Sequence, residues 1–309
     1  MKKIVKRVLI IIPVLIIAFI AFIIGSSYLE HRALVEQEKE MYPAPGALVE
    51  VNDHQIHVYS EGDGPNTFVF LSGLGTSSPY YDFKVLFEKL SDDHKIVVIE
   101  RPGYGWSDIT SADRDLDTVL EESRQALELA GIEGPYNLVP HSLAGLEAIY
   151  WAQEYPEEVN NIFGLDPLVP GYYEQQEEMN NPLSPVITFL SRSGLMRQQP
   201  GVCEENFLAI KKGHLDEQET EVACSLFMRR VMTKNMWEEY RSLEENSQLV
   251  LNNERPKVPI YTFISSENEK DWQTILSDYS DESFILDAHH YVHLDETDFI
   301  ADKILQLIK

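Results

Sequence analysis

The residues best suited to chemistry lie in Tyr136-Asn137-Leu138-Val139-Pro140-His141-Ser142-Leu143-Ala144-Gly145. A short apolar strand pattern runs straight into a serine, and a helical pattern begins at once. A serine on so sharp a turn is lifted above the sheet, within reach of a substrate and a base. The turn brings neighbouring backbone close, so the residues flanking the serine at two positions must be small or compact. Ala144 is small, and Pro140 has a compact ring whose φ suits a strand end. The helix that starts after Ser142 offers free N–H groups and a positive dipole end, so the Leu143 N–H can hold an oxyanion. A hydroxyl is a poor nucleophile until a base takes its proton. Three histidines cluster near the C-terminus, in Asp287-Ala288-His289-His290-Tyr291-Val292-His293-Leu294-Asp295. His141 adjoins Ser142 in the chain, so its ring should point away from the hydroxyl. A zinc cluster of His289, His290 and His293 is the competing use. One tight turn presents three imidazoles poorly, and no fourth ligand is evident.

The elements around these residues predict how they are held. Residues 47–51 and 55–60 alternate apolar and polar about Asn52-Asp53, a hairpin signal. Apolar strand patterns follow at 67–72, 95–100, 136–139 and 159–165, with helical spacing at 81–90, 114–130 and 143–155. Such alternation predicts an α/β fold, a mostly parallel sheet with helices on both faces. Residues 171–256 then carry helical stretches and no convincing strand. Strand signals return at 259–265 and 283–287, and a last helix runs from about Asp298 to Ile308. We therefore expect a first core part at 47–170, a helical cap at 171–256 and a second core part at 257–309. The cap should lie over the sheet's C-terminal edge, where ligands bind in open α/β sheets.

Val8–Ile24 is an unbroken apolar run of 17 residues, preceded by Lys2, Lys3, Lys6 and Arg7. As a helix it spans about 26 Å, near the lower limit for crossing a bilayer. The charge bias places the N-terminus in the cytoplasm and the rest of the chain outside. A cleaved signal peptide is the alternative, but its apolar region would be unusually long and no A-x-A site follows. Residues 1–27 thus read as a transmembrane anchor. Residues 28–46 read as a stalk and linker, helix-prone to Met41 and stopped by Pro43 and Pro45.

The net charge is −26, and the portion after residue 27 has 21 basic against 51 acidic residues, a balance of −30. A surface so acidic repels phosphate backbones, so no nucleic-acid partner is expected, nor affinity for anionic head groups. The 309 residues, with 44% apolar, supply a sizeable core without metals. Cys203 and Cys224 show no zinc spacing. They can pair in an oxidising compartment or remain two buried thiols.

Taken together, the motifs resemble those of the α/β-hydrolases, from about residue 47 to the end. The G-x-S-x-G elbow appears as Pro140-His141-Ser142-Leu143-Ala144, with proline and alanine in place of the glycines. The oxyanion loop after the third strand appears as Ser72-Gly73-Leu74-Gly75. Glu100-Arg101-Pro102-Gly103-Tyr104-Gly105-Trp106-Ser107 is similar to the D-x-P-G-x-G-x-S stretch. In that setting a merely helix-capping role for Ser142 is the weaker reading. The resemblance implies Ser142 as nucleophile and Leu74 N–H as second oxyanion donor. It implies His290 as base, five residues before an acid, with His289 next in line. The orienting acid usually follows the strand after the cap, where Asn268 aligns. A family variation puts it after the preceding strand, at Asp166, which we favour over Glu267. The implied reaction is acyl transfer to water from an ester, thioester or amide, with no metal or cofactor required. The cap's Phe, Leu, Met and Tyr content suggests a small-molecule acyl substrate of apolar character. An aminopeptidase or amidase, and a catalytically silent binding protein, are the alternatives.

Overall fold

The computed structural model describes residues 2–171 and 184–308. The first twelve residues after Gly171 in the expected cap therefore lie outside the described residues. The chain opens with helix α1 (Lys2–Met41), 40 residues long with Pro13 inside it. The segments expected to form an anchor and a stalk are thus one continuous helix, ended where Pro43 and Pro45 remove donors. It is the one helix, among the described residues, long and apolar enough to cross a membrane. Its apolar side chains stay exposed, Leu9 at 66% and Phe22 at 70%, whereas core phenylalanines are sealed.

Eight strands form one sheet: β1 (Ala47–Val51), β2 (His54–Glu61), β3 (Thr67–Leu71), β4 (Lys95–Glu100), β5 (Tyr136–Pro140), β6 (Val159–Leu165), β7 (Ile260–Ser265) and β8 (Glu282–Leu286). Their order is β1-β2-β4-β3-β5-β6-β7-β8. β1 and β2 pair antiparallel about Asn52-Asp53, both at positive φ as a tight hairpin turn requires. β2 meets β4 antiparallel, and all later pairs are parallel.

The period-2 side-chain alternation sorts the apolar residues onto two faces. Val69, Leu71, Val97 and Ile99 face one core cluster with α3 (Leu116–Leu129) and α4 (Ala144–Glu154). Phe68, Phe70, Ile96 and Val98 face the other, with α2 (Pro79–Phe87) and the C-terminal helix. Because both faces are covered, the central strands are apolar along most of their length. Helix α3 begins two residues later than its pattern suggested, because Asp115 caps it by accepting from the Thr118 N–H.

Between β6 and β7 the described chain is helical: α5 (Ser184–Arg192), α6 (Val202–Asn206), α7 (Leu208–Lys211), α8 (Glu217–Arg230), α9 (Lys234–Arg241) and α10 (Leu243–Asn252). Cys203 and Cys224 form a disulfide that ties α6 to α8. Phe207, Ala223, Leu226 and Phe227 pack there with Tyr81 and Leu294 of the sheet domain. The apolar side chains that hinted at an apolar substrate therefore largely fasten these helices down. On α5, Val186 and Phe189 remain about half exposed. Helix α11 (Lys270–Tyr279) follows β7, and α12 (Val292–Asp295) and α13 (Thr297–Leu307) close the chain.

Candidate active site

Three side chains from three sheet-edge turns meet in line. Ser142 follows β5, Asp166 follows β6, and His290 lies in the loop after β8. Ser142 sits at φ +53°, a left-handed conformation that costs an ordinary residue free energy. Hydrogen bonds hold it there: its N–H donates to Leu165 O at 3.3 Å, and its carbonyl accepts from Gly145 and Leu168 N–H at 2.9 and 2.7 Å. A Cβ on Gly145 would stand 2.2 Å from Leu168 O, so only glycine lets α4 approach this segment. Pro140 fits for a local reason. N–H groups alternate sides along a strand, and His141 donates to Leu71 of β3. The donor that Pro140 lacks would face β6, where pairing lapses between Leu138–Ile162 and the bridge His141–Leu165.

The Ser142 hydroxyl lies 2.9 Å from His290 Nε2, and His290 Nδ1 lies 2.6 Å from Asp166 Oδ2. Asp166 is buried, and a carboxylate can only accept, so Nδ1 carries the proton and Nε2 accepts from Ser142. The other Asp166 oxygen accepts from Ser265 N–H at 3.1 Å and from Asn268 Nδ2 at 2.6 Å. Asn268, at the position where the family's usual acid aligns, is thus a donor to Asp166. Glu267 lies elsewhere: its side chain is 61% exposed and stands 3.5 Å from His289.

The remaining histidines separate onto different partners. His289 Nδ1 is 3.2 Å from Asp295. Burial, opposed and outweighed by Lys212 and His289, leaves the Asp295 carboxyl below the usual carboxylate range. His293 is buried on α12, 3.2 Å from Asp82. The three rings therefore do not converge on a common point. His141 is buried, and its ring is bonded to the His290 backbone rather than to the Ser142 hydroxyl. Burial, together with nearby His290 and His293, pushes its pKa well down, so it stays neutral. Its Nε2–H donates to the His290 carbonyl at 3.2 Å, and the two rings lie 4.8 Å apart.

The Leu74 and Leu143 amides belong to the segments beside Ser142. A Cβ on Gly73 would meet Ser142 Cβ at 2.8 Å, so glycine there lets the Leu74 loop close onto the serine. Among the described residues, neither the Leu74 nor the Leu143 amide donates to a backbone carbonyl. Arg101 supports this loop, and sequence reasoning did not single it out. Its Nη2 donates to Ser72 O at 2.9 Å, its Nη1 to Glu147 of α4 at 2.8 Å, and its Nε to Glu239 of α9 at 3.2 Å. Tyr104 OH adds a bond to Glu239 at 2.6 Å, and Ser123 one to Glu147 at 2.9 Å. The motif Glu100–Ser107 flagged this segment. Glu239 had no signal, because it is 138 residues away in the chain.

Cys203, Glu204 and Cys224 bring three ligand-type atoms together, but the cysteines are joined to each other and offer no thiolate.

A mostly parallel sheet, a serine elbow and a histidine after the last strand define a hydrolase-type α/β fold. The model of the alpha/beta hydrolase fold family matches residues 66–297, and the chain belongs to that family. An uncharacterized protein of Bacillus subtilis, YbdG, is 34% identical over 267 residues, covering 85% of this chain and 82% of the relative. Among solved structures, the epoxide hydrolase of Bacillus megaterium superposes with a TM-score of 0.65 at 17% identity, covering 85% of this chain and 99% of that one. Cfl2 of Burkholderia cenocepacia superposes with a TM-score of 0.64 at 19% identity, covering 85% and 95%. At such identities these two structures establish the fold alone.

Proposed function

We propose that this protein is a serine hydrolase that cleaves an ester or related acyl bond through an acyl-enzyme. The observation that carries the reading is the unbroken chain Asp166–His290–Ser142, with spacings of 2.6 and 2.9 Å. Ser142 Oγ attacks the carbonyl carbon while His290 Nε2 takes its proton. Leu74 and Leu143 N–H groups receive the oxyanion. The tetrahedral centre collapses, the bond to the leaving group breaks, and His290 returns the proton to that group. Water then attacks the acyl-serine, with His290 again as base, and releases the acid. Asp166 keeps the imidazole in the required tautomer and stabilises its cation.

The epoxide hydrolase among the structural neighbours suggests a second chemistry. It needs an ester intermediate that water can cleave, hence a carboxylate nucleophile at the elbow. Serine opening an epoxide would leave a stable ether, so Ser142 favours acyl transfer.

We further place the protein in the membrane through α1, with the N-terminus cytoplasmic and the hydrolase outside. Lys2, Lys3, Lys6 and Arg7 before the apolar run support that orientation. The Cys203–Cys224 disulfide supports an oxidising compartment.

The full-length chain in neutral detergent is treated with a fluorophosphonate, and the adduct is located by peptide mass. Labelling at Ser142, followed by turnover of nitrophenyl esters, is the expected result. A folded protein that never labels would overturn the reading and leave a tethered binding domain. Faster turnover of an amino-acid arylamide than of the ester would shift it to a peptidase.

A further inference from the structure

Between the outer half of α1 and the helices on the sheet lies a cavity of about 560 Å³. It is separate from Ser142. Arg32 of α1, Arg192 of α5, and Arg229 and Arg230 of α8 line it, against Glu36 and Asp108. In a chain of net charge −26 this is a local reversal of sign. The two acids are already engaged: Glu36 pairs with Lys39 at 3.0 Å, and Asp108 accepts from Gln55 N–H at 2.9 Å.

Arg229 is the informative residue. Its side chain is only 5% exposed, and the nearest carboxylate oxygen, on Glu38, stands 4.0 Å away. That carboxylate is already held by both terminal nitrogens of Arg197, at 2.7 and 2.8 Å. Arg229 Nε and Nη2 have no hydrogen-bond partner among the described residues. Arg230 beside it does have one, donating to Gly105 O at 2.7 Å. A buried guanidinium with idle donors is costly unless an anion completes it. Burial and nearby Arg197, only partly offset by Glu38, also hold the Arg229 pKa below its usual value.

The height of the cavity on α1 indicates where an anion would come from. Tyr28, also in its wall, lies four residues beyond Ile24, where the apolar run ends. That is about 6 Å along a helix, within the head-group layer, whereas Arg32 at about 12 Å lies just outside it. Head-group layers are about 5–8 Å deep.

We propose that this cavity binds a phosphate-bearing anion, gripped by Arg229 with Arg192 and Arg32 at its mouth. The anion is either an anionic phospholipid head group or a free phosphate. The lipid source rests on α1 being the anchor. The site itself does not depend on acyl transfer at Ser142. An occupied site would join α8 to α1 and so fix the hydrolase relative to the membrane surface.

The test uses the full chain in neutral detergent, with thermal unfolding followed against phosphatidylglycerol, phosphatidylcholine, inorganic phosphate and chloride at matched ionic strength. A saturable stabilisation by phosphatidylglycerol alone identifies a lipid site. The same effect with inorganic phosphate identifies a general phosphate site. Arg229→Gln should weaken the response at least tenfold, and the exposed Arg192→Gln, which does not risk the fold, severalfold. No response beyond chloride, or equal responses in wild type and Arg192→Gln/Arg32→Gln, would overturn the proposal. Fluorophosphonate labelling of the same samples reports on Ser142 separately, so either reading can fail alone.

Discussion

Two buried charge clusters sit within the same fold, and they are built to different ends. Around Arg101 every charge is enclosed: Arg101, Glu147 and Glu239 are each no more than 3% exposed, and each carboxylate has a donor. Around Asp166 the chain of bonds is open at one end. Asp166 is sealed, but the His290 side chain is 48% exposed and ends on a hydroxyl. A closed ionic cluster in a low-dielectric interior fixes geometry. An open one leaves a proton free to move between a base and whatever approaches it. Here the closed cluster holds Ser72, α4 and α9, which frame the open one.

The comparison is tested most strongly at its open end. Ser142→Ala should lower kcat for an ester substrate by about 10⁴-fold or more. Asp166→Asn should lower it by roughly 10³–10⁴-fold, by favouring the wrong tautomer of His290. Glu267→Gln should change it less than about twofold. A large loss in Glu267→Gln and a small one in Asp166→Asn would exchange the roles of the two acids. Gly73→Ala probes the junction between the clusters. The added Cβ must displace the loop from Ser142, and about a 10²-fold loss in kcat is expected, with KM little changed. Steady-state kinetics on folded variants checks all four.

At the closed end the effect should appear in stability. Arg101→Met leaves Glu147 and Glu239 buried without their cation, and a cost of about 3–5 kcal/mol is expected. Burial already raises the Glu147 pKa, Arg101 being the main influence that restrains it. Urea unfolding of the variant measures this, and a change under about 1 kcal/mol would mean the cluster is dispensable.

The smallest expected effect is a pH dependence. The folded His141 pKa lies well below 6.5, because burial and its histidine neighbours exclude the charged form. Below about pH 6.5 the unfolded chain therefore binds a proton that the folded chain does not, and stability falls as pH drops. Unfolding at pH 7.5 and 5.5 should show that loss, and His141→Gln should flatten it.

Much of the framework was legible because it is local. The hairpin at Asn52-Asp53, the strand at 159–165 and the serine turn were read from period, propensity and turn chemistry acting within a few residues. The long N-terminal helix was read from one apolar run. Its continuity to Met41 was less obvious, because a change from apolar to charged composition looks like a boundary while the backbone simply continues.

Other features had no local signal. Asp166 was preferred to Glu267 by resemblance, but its contacts are made across 124 residues to His290 and 102 to Asn268. The pairing of Cys203 with Cys224 stayed open until α6 met α8. The Arg101 cluster and the idle donors of Arg229 arise only when helices from distant segments dock. Sequence alone determined which segments are strands and helices and where a serine stands on a sharp turn, because backbone sterics and hydrophobic period are short-range. Only the tertiary structure decided which charges meet, because burial and electrostatics depend on what packs alongside, however far away it lies in the chain.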